Sequence, residues 1–360
     1  MSNPVRVALI GSGRMGSFHG RTLAQRLPGV SLAAIADPAP GAAEQLAAEL
    51  TVAPAPTIGA VTDPAQVFAD PDVDAVVIAA PARFHADLVV AAATAGKAVF
   101  CEKPMALSLA DADRALAAVR AAGVLLQVGF NRRFAADWHA ARGLLDSGEL
   151  GTPRQIRSLT RDPGGFDPSR VAPGTIFIET LIHDFDTLRY LNPGARAVRV
   201  FATATATVEP DWRDRGLQDT ATVLVEFDNG AVGIAEACFE AAYGYDVRGE
   251  LFAAGGMATM GDGRRTGLVF SHADGRSVAT ARSDQELLDA AYVAELAAFT
   301  DAVHRRSAGR QGDGTEPDPA VADGSDARAA LAIALAAAES VSTGAAVALG
   351  APADPAPTDR

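Results

Sequence analysis

Short, continuously apolar runs recur through the first third of the chain, at 5–10, 32–36, 75–80, 98–101 and 125–128. They lack polar alternation, as strands do when helices cover both faces of a sheet. Between them, at 14–27, 41–50, 84–95 and 108–122, lie alanine-rich stretches of helical length. This alternation predicts right-handed crossovers and an α/β doubly wound parallel sheet.

The pattern changes near Gly151. Alternating apolar and polar positions predict strands at 198–208, 219–228, 231–240, 247–254 and 258–261. Asn229-Gly230 separates two of these runs and is a strong hairpin signal. The second part therefore reads as an α+β domain on an open, largely antiparallel sheet. Helical patterns follow at 284–306 and 325–343, joined by a loop rich in Gly, Pro and Asp. The expected division is a first domain over 1–128, a second over 129–350 and a disordered tail over 351–360. The helix at 325–343 is free to pack back on the first domain. There is no internal repeat.

Composition narrows the function classes. The chain has 360 residues, 49% of them hydrophobic, which suffices for two domain cores. Its formal net charge of −13 disfavours nucleic acid and anionic membranes as partners. The two cysteines, Cys101 and Cys238, form neither a disulfide framework nor a metal-ligand spacing. The N-terminal residues run straight into an apolar strand without a signal-peptide pattern, and no apolar stretch reaches bilayer length. These features lead us to expect a soluble cytoplasmic protein.

The first strand is followed by Gly11-Ser12-Gly13-Arg14-Met15-Gly16, which opens a helix. Gly11 permits the tight turn, Gly13 lets the backbone approach a pyrophosphate, and Gly16 allows close helix–strand packing. The helix start then presents free N–H groups to phosphates. Asp37 ends the second strand about 20 residues on, placed to accept from ribose hydroxyls and repel a 2′-phosphate. No arginine follows it, which favours NAD over NADP. A helix-capping role for Asp37 is the alternative. Ala80 and Pro81 end the third strand, on the side where such sheets bind ligands. His85 there either faces the nicotinamide half or sits in the first turn of the next helix.

The fourth strand ends in Glu102-Lys103-Pro104. An ammonium at this edge could hold a substrate oxygen as it gains charge. An ordinary Glu102–Lys103 surface pair is equally consistent with the local sequence. At about 100° per residue, Glu179, His183, Asp186 and Tyr190 fall on one polar stripe of a helix that is otherwise apolar. An imidazole flanked by carboxylates at i−4 and i+3 suits proton transfer. A metal site is the weaker reading, because the stripe holds only one histidine.

Taken in order, Gly11–Gly16, Ala36-Asp37, Glu102-Lys103-Pro104 and His183-Asp-Phe-Asp186 resemble the glucose–fructose oxidoreductase, inositol dehydrogenase and rhizopine-catabolism (Gfo/Idh/MocA) family over nearly the full length. Gly129-Phe130-Asn131-Arg132-Arg133-Phe134 resembles the segment that brings an arginine to the site of inositol dehydrogenases. The resemblance implies a Rossmann domain followed by an α+β domain whose open sheet often mediates homodimers or homotetramers. It implies NAD-dependent oxidation of a polyol or sugar, with Lys103 in the catalytic set and His183 as proton acceptor. Asp186 or Glu179 would hold the imidazole or neighbouring hydroxyls, and Arg132 and Asn131 would contact substrate. Inositol dehydrogenases carry aspartate where this chain has Glu179, so the implied substrate widens to cyclic polyols and sugars. Sugar–sugar oxidoreduction, NAD-dependent glycoside cleavage and a non-catalytic nucleotide sensor are the alternatives.

Overall fold

The computed structural model describes residues 3–51, 57–165, 171–208, 210–307 and 318–350. The tail over 351–360, expected to be disordered, lies outside them, as does much of the loop between the last two helices.

By contact density the chain forms two units. In the first, strands β1 (Val5–Ile10), β2 (Val30–Ala36), β3 (Gly59–Val61), β4 (Ala75–Ile78), β5 (Ala98–Cys101) and β6 (Leu126–Val128) alternate with helices. These are α1 (Arg14–Gln25), α2 (Ala42–Leu50), α3 (Pro64–Ala69), α4 (His85–Thr94) and α5 (Leu109–Ala122). All pairings are parallel, in the order β3-β2-β1-β4-β5-β6. The order reverses between β1 and β4, which places the ligand crevice at their carboxyl ends. β4 and β5 are buried at every position, which explains their unbroken apolar sequence.

The second unit is built on helix α6 (Ala136–Asp146), strand β7 (Pro153–Arg161), helix α7 (Leu181–Tyr190), strand β8 (Ala197–Thr205) and the short helix α8 (Pro210–Asp214). Strands β9 (Thr220–Phe227), β10 (Val232–Cys238), β11 (Asp246–Ala253) and β12 (Met257–Met260) follow, then the hairpin β13 (Arg264–His272) and β14 (Gly275–Thr280). Beyond these come α9 (Asp284–Leu287), α10 (Asp289–Ser307), α11 (Gly324–Thr343) and β15 (Val347–Ala348). The main sheet runs β12-β11-β7-β10-β9-β8-β15. It is mixed rather than purely antiparallel, because β7 and β10 are parallel. Asn229-Gly230 makes the β9–β10 turn, with Gly230 at φ +85°.

One sheet face buries Ile156, Val200, Val223, Val225 and Leu251. Helix α7 packs on this face, and Gly233 leaves room for it: a Cβ there would lie 2.7 Å from Leu188 Cδ1. The opposite face carries half-exposed Phe201, Leu224, Phe252 and Met257.

The domain expectation needs one correction. The segment Asp284–Leu331, read from sequence as part of the second domain, belongs with Met1–His139. The physical reason is burial. Leu296, Phe299 and Val303 of α10 complete the apolar core formed by Val7, Leu9, Val77 and Phe100. The residues of α11 beyond Leu331 belong to the second unit, where Ser340 Oγ accepts from the Ala202 N–H at 2.9 Å.

Candidate functional site

The glycine turn has the geometry its sequence implies. Gly11 adopts φ +98°, and a Cβ there would meet the Ala79 carbonyl oxygen at 2.7 Å. A Cβ on Gly16 would lie 2.0 Å from the Gly11 oxygen, so only glycine lets the helix start beneath the turn. Gly13 is the N-cap of α1, and a Cβ on it would meet nothing within 4 Å. The space a pyrophosphate needs is therefore open, and the first-turn N–H groups of Arg14, Met15 and Gly16 edge it. The Arg14 side chain turns away to Asp284, at 2.7 Å.

Asp37 is tied to this turn. Its Oδ2 accepts from the Ser12 N–H at 2.8 Å and the Ser12 hydroxyl at 2.7 Å, and its Oδ1 from the Ala39 N–H at 2.9 Å. Burial alone would raise its pKa, but these three donors outweigh it and hold the carboxyl below its ordinary range. It does not cap the following helix, whose N-cap is Gly41. Replacing Asp37 by alanine should weaken NAD binding about tenfold to a hundredfold, the worth of one or two hydrogen bonds to a charged acceptor. Discrimination against NADP should fall as well. Titration of both cofactors checks this, and an unchanged preference would remove Asp37 from the ribose role.

At the ends of β4 and β5 the predicted residues divide. His85 is the first residue of α4 and is buried. Its ring nitrogens lie on two backbone carbonyls, Nδ1 2.8 Å from Pro104 and Nε2 2.7 Å from Ala80. Of the two readings of His85, the helix-start one describes this placement. Pro81 is the N-cap of the 3-10 turn Ala82–Phe84. Glu102 does not form a surface pair with Lys103. Its carboxylate is turned inward, with Oε1 2.6 Å from His19 Nε2 and Oε2 accepting the Lys103 backbone N–H at 3.1 Å. The Lys103 side chain is half-buried at the strand's end. Asn131 and Arg132 lie in the 3-10 turn Asn131–Phe134 and are buried, at 1% and 2% exposure.

The second unit holds the other group. The expected polar stripe is not one continuous α-helix. Glu179 belongs to a π-helical turn, Ile176–Thr180, and Thr180 is the N-cap of α7. Thr175, Ile176, Ile178 and Thr180 are β-branched, which disfavours a tight α turn here. Such wide turns occur frequently at functional sites. Glu179 is exposed, and His183 is half-buried on α7. Asp186 is buried one turn further on, and Tyr190 lies under the Arg142 guanidinium, 5.2 Å from the ring centre.

Asp184 lies inside the His183–Asp186 motif, and its role is not visible from the sequence alone. It is fully buried and accepts from Ser158 Oγ at 2.6 Å and Thr160 Oγ1 at 2.7 Å. These bonds fix α7, and with it His183, on strand β7.

Two regions of the chain match known protein families. Residues 5–130 match the group described as "Oxidoreductase family, NAD-binding Rossmann fold", and residues 138–259 match the "GFO/IDH/MocA C-terminal domain". The chain is 36% identical over 304 residues to the scyllo-inositol 2-dehydrogenase (NAD(+)) of Bacillus subtilis, covering 84% of this chain and 87% of that protein. It is 36% identical over 273 residues to the myo-inositol 2-dehydrogenase of Thermotoga maritima, covering 75% and 79%. Among solved structures, the myo-inositol dehydrogenase of Lactobacillus casei in complex with NAD(H) and myo-inositol aligns with a TM-score of 0.86 at 25% identity, covering 98% and 99%. The glycine turn, Asp37 and the two matched regions make this chain a member of the Gfo/Idh/MocA family of NAD-binding oxidoreductases.

Proposed function

We propose that the protein is an NAD-dependent dehydrogenase that oxidises a ring secondary alcohol of an inositol-like cyclic polyol to a ketone. The supporting observation is the similarity to inositol 2-dehydrogenases over most of the chain, with Lys103 just past the end of β5 and His183 in the first turn of α7. When bound, NAD supplies the hydride acceptor at the nicotinamide ring. The chain's own groups supply the rest. His183 takes the hydroxyl proton. The Lys103 ammonium steadies the oxygen as negative charge develops on it. Asp186 orients the imidazole, and Glu179, Arg132 and Asn131 hold the remaining hydroxyls. The deciding experiment is a screen for NADH production over inositol isomers, aldoses and sugar alcohols. NADH formed with inositols supports the reading, and none formed with any polyol or sugar would remove it.

The assembly belongs to the same proposal. The open sheet face aligns Phe201 with Leu224 and Leu224 with Ile234 across neighbouring strands. Arg199–Glu226 and Arg157–Glu236 pairs flank this apolar strip, at 2.5 and 2.9 Å. A patch of this kind suits a second copy of the chain, as a homodimer or within a homotetramer. Phe201→Glu combined with Leu224→Lys should convert the oligomer to a monomer in light scattering. A wild-type chain running at 36.9 kDa would contradict the proposal. No helix among the described residues is long and apolar enough to cross a membrane. Placement in the cytoplasm is part of the proposal, and the two free cysteines support it.

A further inference from the structure

Three buried ionisable side chains of the first unit have no part in the chemistry above. His19 lies on α1, Glu102 at the end of β5 and Glu295 on α10. Their exposures are 0%, 6% and 0%. One polar atom from each lies within 4.8 Å of the others. The rings of Phe18, Phe100 and Tyr292 surround His19, so the setting is apolar.

Two ionised carboxylates this close in an apolar interior would repel each other strongly, and neither would have water to screen it. The hydrogen bonds are shared unequally. Glu102 has a partner for each oxygen, His19 Nε2 and the Lys103 N–H. Neither oxygen of Glu295 has a partner among the described residues. A proton therefore belongs on Glu295 and a charge on Glu102. The electrostatics agree. Burial and the charge of Glu102 hold the Glu295 carboxyl well above its ordinary range. Burial pushes Glu102 up too. The hydrogen bond from His19 and the charges of His19, Lys103 and His85 outweigh this and hold Glu102 below. The other groups facing the cluster do not supply a counter-charge to Glu295. Arg14 is paired with Asp284, the Tyr292 hydroxyl also bonds Asp284, and the Gln127 amide donates to the Glu295 backbone carbonyl.

We propose that Glu295 holds a buried proton that keeps Glu102 ionised, and that His19, Glu102 and Glu295 act together as positioning residues for Lys103. The inference rests on the reading that Lys103 acts on the substrate. Ionised Glu102 grips the Lys103 backbone N–H while His85 holds the Pro104 carbonyl, so the segment carrying the ammonium is fixed on both sides. Loss of the Glu295 proton would set two carboxylates against each other and release one side of this grip.

Glu295→Gln keeps the shape of the neutral acid. It should abolish an infrared band of a protonated carboxyl present in the wild type. It should also change the pH dependence of stability. Below the ordinary carboxyl range, folded and unfolded chains both hold the proton. Above it, the unfolded chain releases the proton and the folded chain keeps it, so wild-type stability falls as pH rises. The Tm advantage of Glu295→Gln should therefore grow from about pH 5 to about pH 8. His19→Phe should lower kcat about tenfold or more with KM little changed, since misplacing a reacting group costs rate. Its acid limb should move to higher pH, because Glu102 loses its donor. His19→Gln, which keeps an N–H donor, should recover part of the rate and covers the case in which the phenylalanine variant does not fold.

A wild type without the infrared band, or a Glu295→Gln variant less stable than wild type at about pH 8, would overturn the proton assignment. A fully active His19→Phe variant would overturn the positioning role. If Lys103→Ala kept the wild-type rate, the functional reading would fall and the positioning role with it. The band and the pH slope would still decide where the proton lies.

Discussion

Replacing Lys103 by alanine is expected to lower kcat by about 10²- to 10³-fold, the usual effect of removing a preorganised donor to a developing oxyanion. NAD affinity should stay near wild type. The cofactor-holding features described here are the glycine turn, the start of α1 and Asp37, which follow β1 and β2 rather than β5. Lys103→Arg should not restore the rate. A guanidinium is planar and larger than an ammonium, and it spreads its charge over a fork. Steady-state rates with the polyol found by the screen, beside an NADH fluorescence titration, separate the two effects. A variant that binds NAD and turns over normally would show that Lys103 is only structural.

His183→Ala should cost about 10²- to 10⁴-fold in kcat, the contribution of a positioned general base. The residual rate should rise with pH as hydroxide replaces the missing base. Added imidazole should recover part of the activity, because α7 and its Asp184 anchor remain in place. Absence of both signatures together with a large fall in Tm would point to loss of folding instead. Asp184→Ala is the control. It removes the two hydroxyl bonds to β7 and should lower stability by about 3 kcal/mol. His183→Ala leaves those bonds intact and should cost far less stability.

The parts of the fold that were legible in the sequence are those where one physical demand dominates. Strands β4 and β5 had to be apolar throughout, and β1 at all but Arg6, because helices cover both sheet faces. The glycine turn was legible because steric contact leaves Gly11 and Gly16 no substitute. Strand β7 was missed for the opposite reason. Its inward positions include Ser158 and Thr160, which look like surface residues until Asp184 arrives from another element to bond them. The hairpin β13–β14 was missed because nearly all of it is exposed, so burial imposes no alternation. The π turn at Glu179 was hidden because a helical wheel assumes a constant twist. Nothing in the sequence around Glu295 marks it out. Only the return of α10 to the first unit brings it beside Glu102, and no local pattern carries that information.

That return also constrains how the chain can be made. A ribosome delivers the six strands of the first sheet long before it delivers Leu296, Phe299 and Val303. Until then the nascent sheet has an apolar surface facing water, and the loop to be closed spans residues 140–283. The first unit should therefore mature late, only once α10 has emerged, and a fragment ending at His139 should be sticky and poorly soluble. Supplying 284–331 in trans, or fusing it directly after residue 139, should relieve that defect. The two units are one piece of folding machinery even though each has its own sheet.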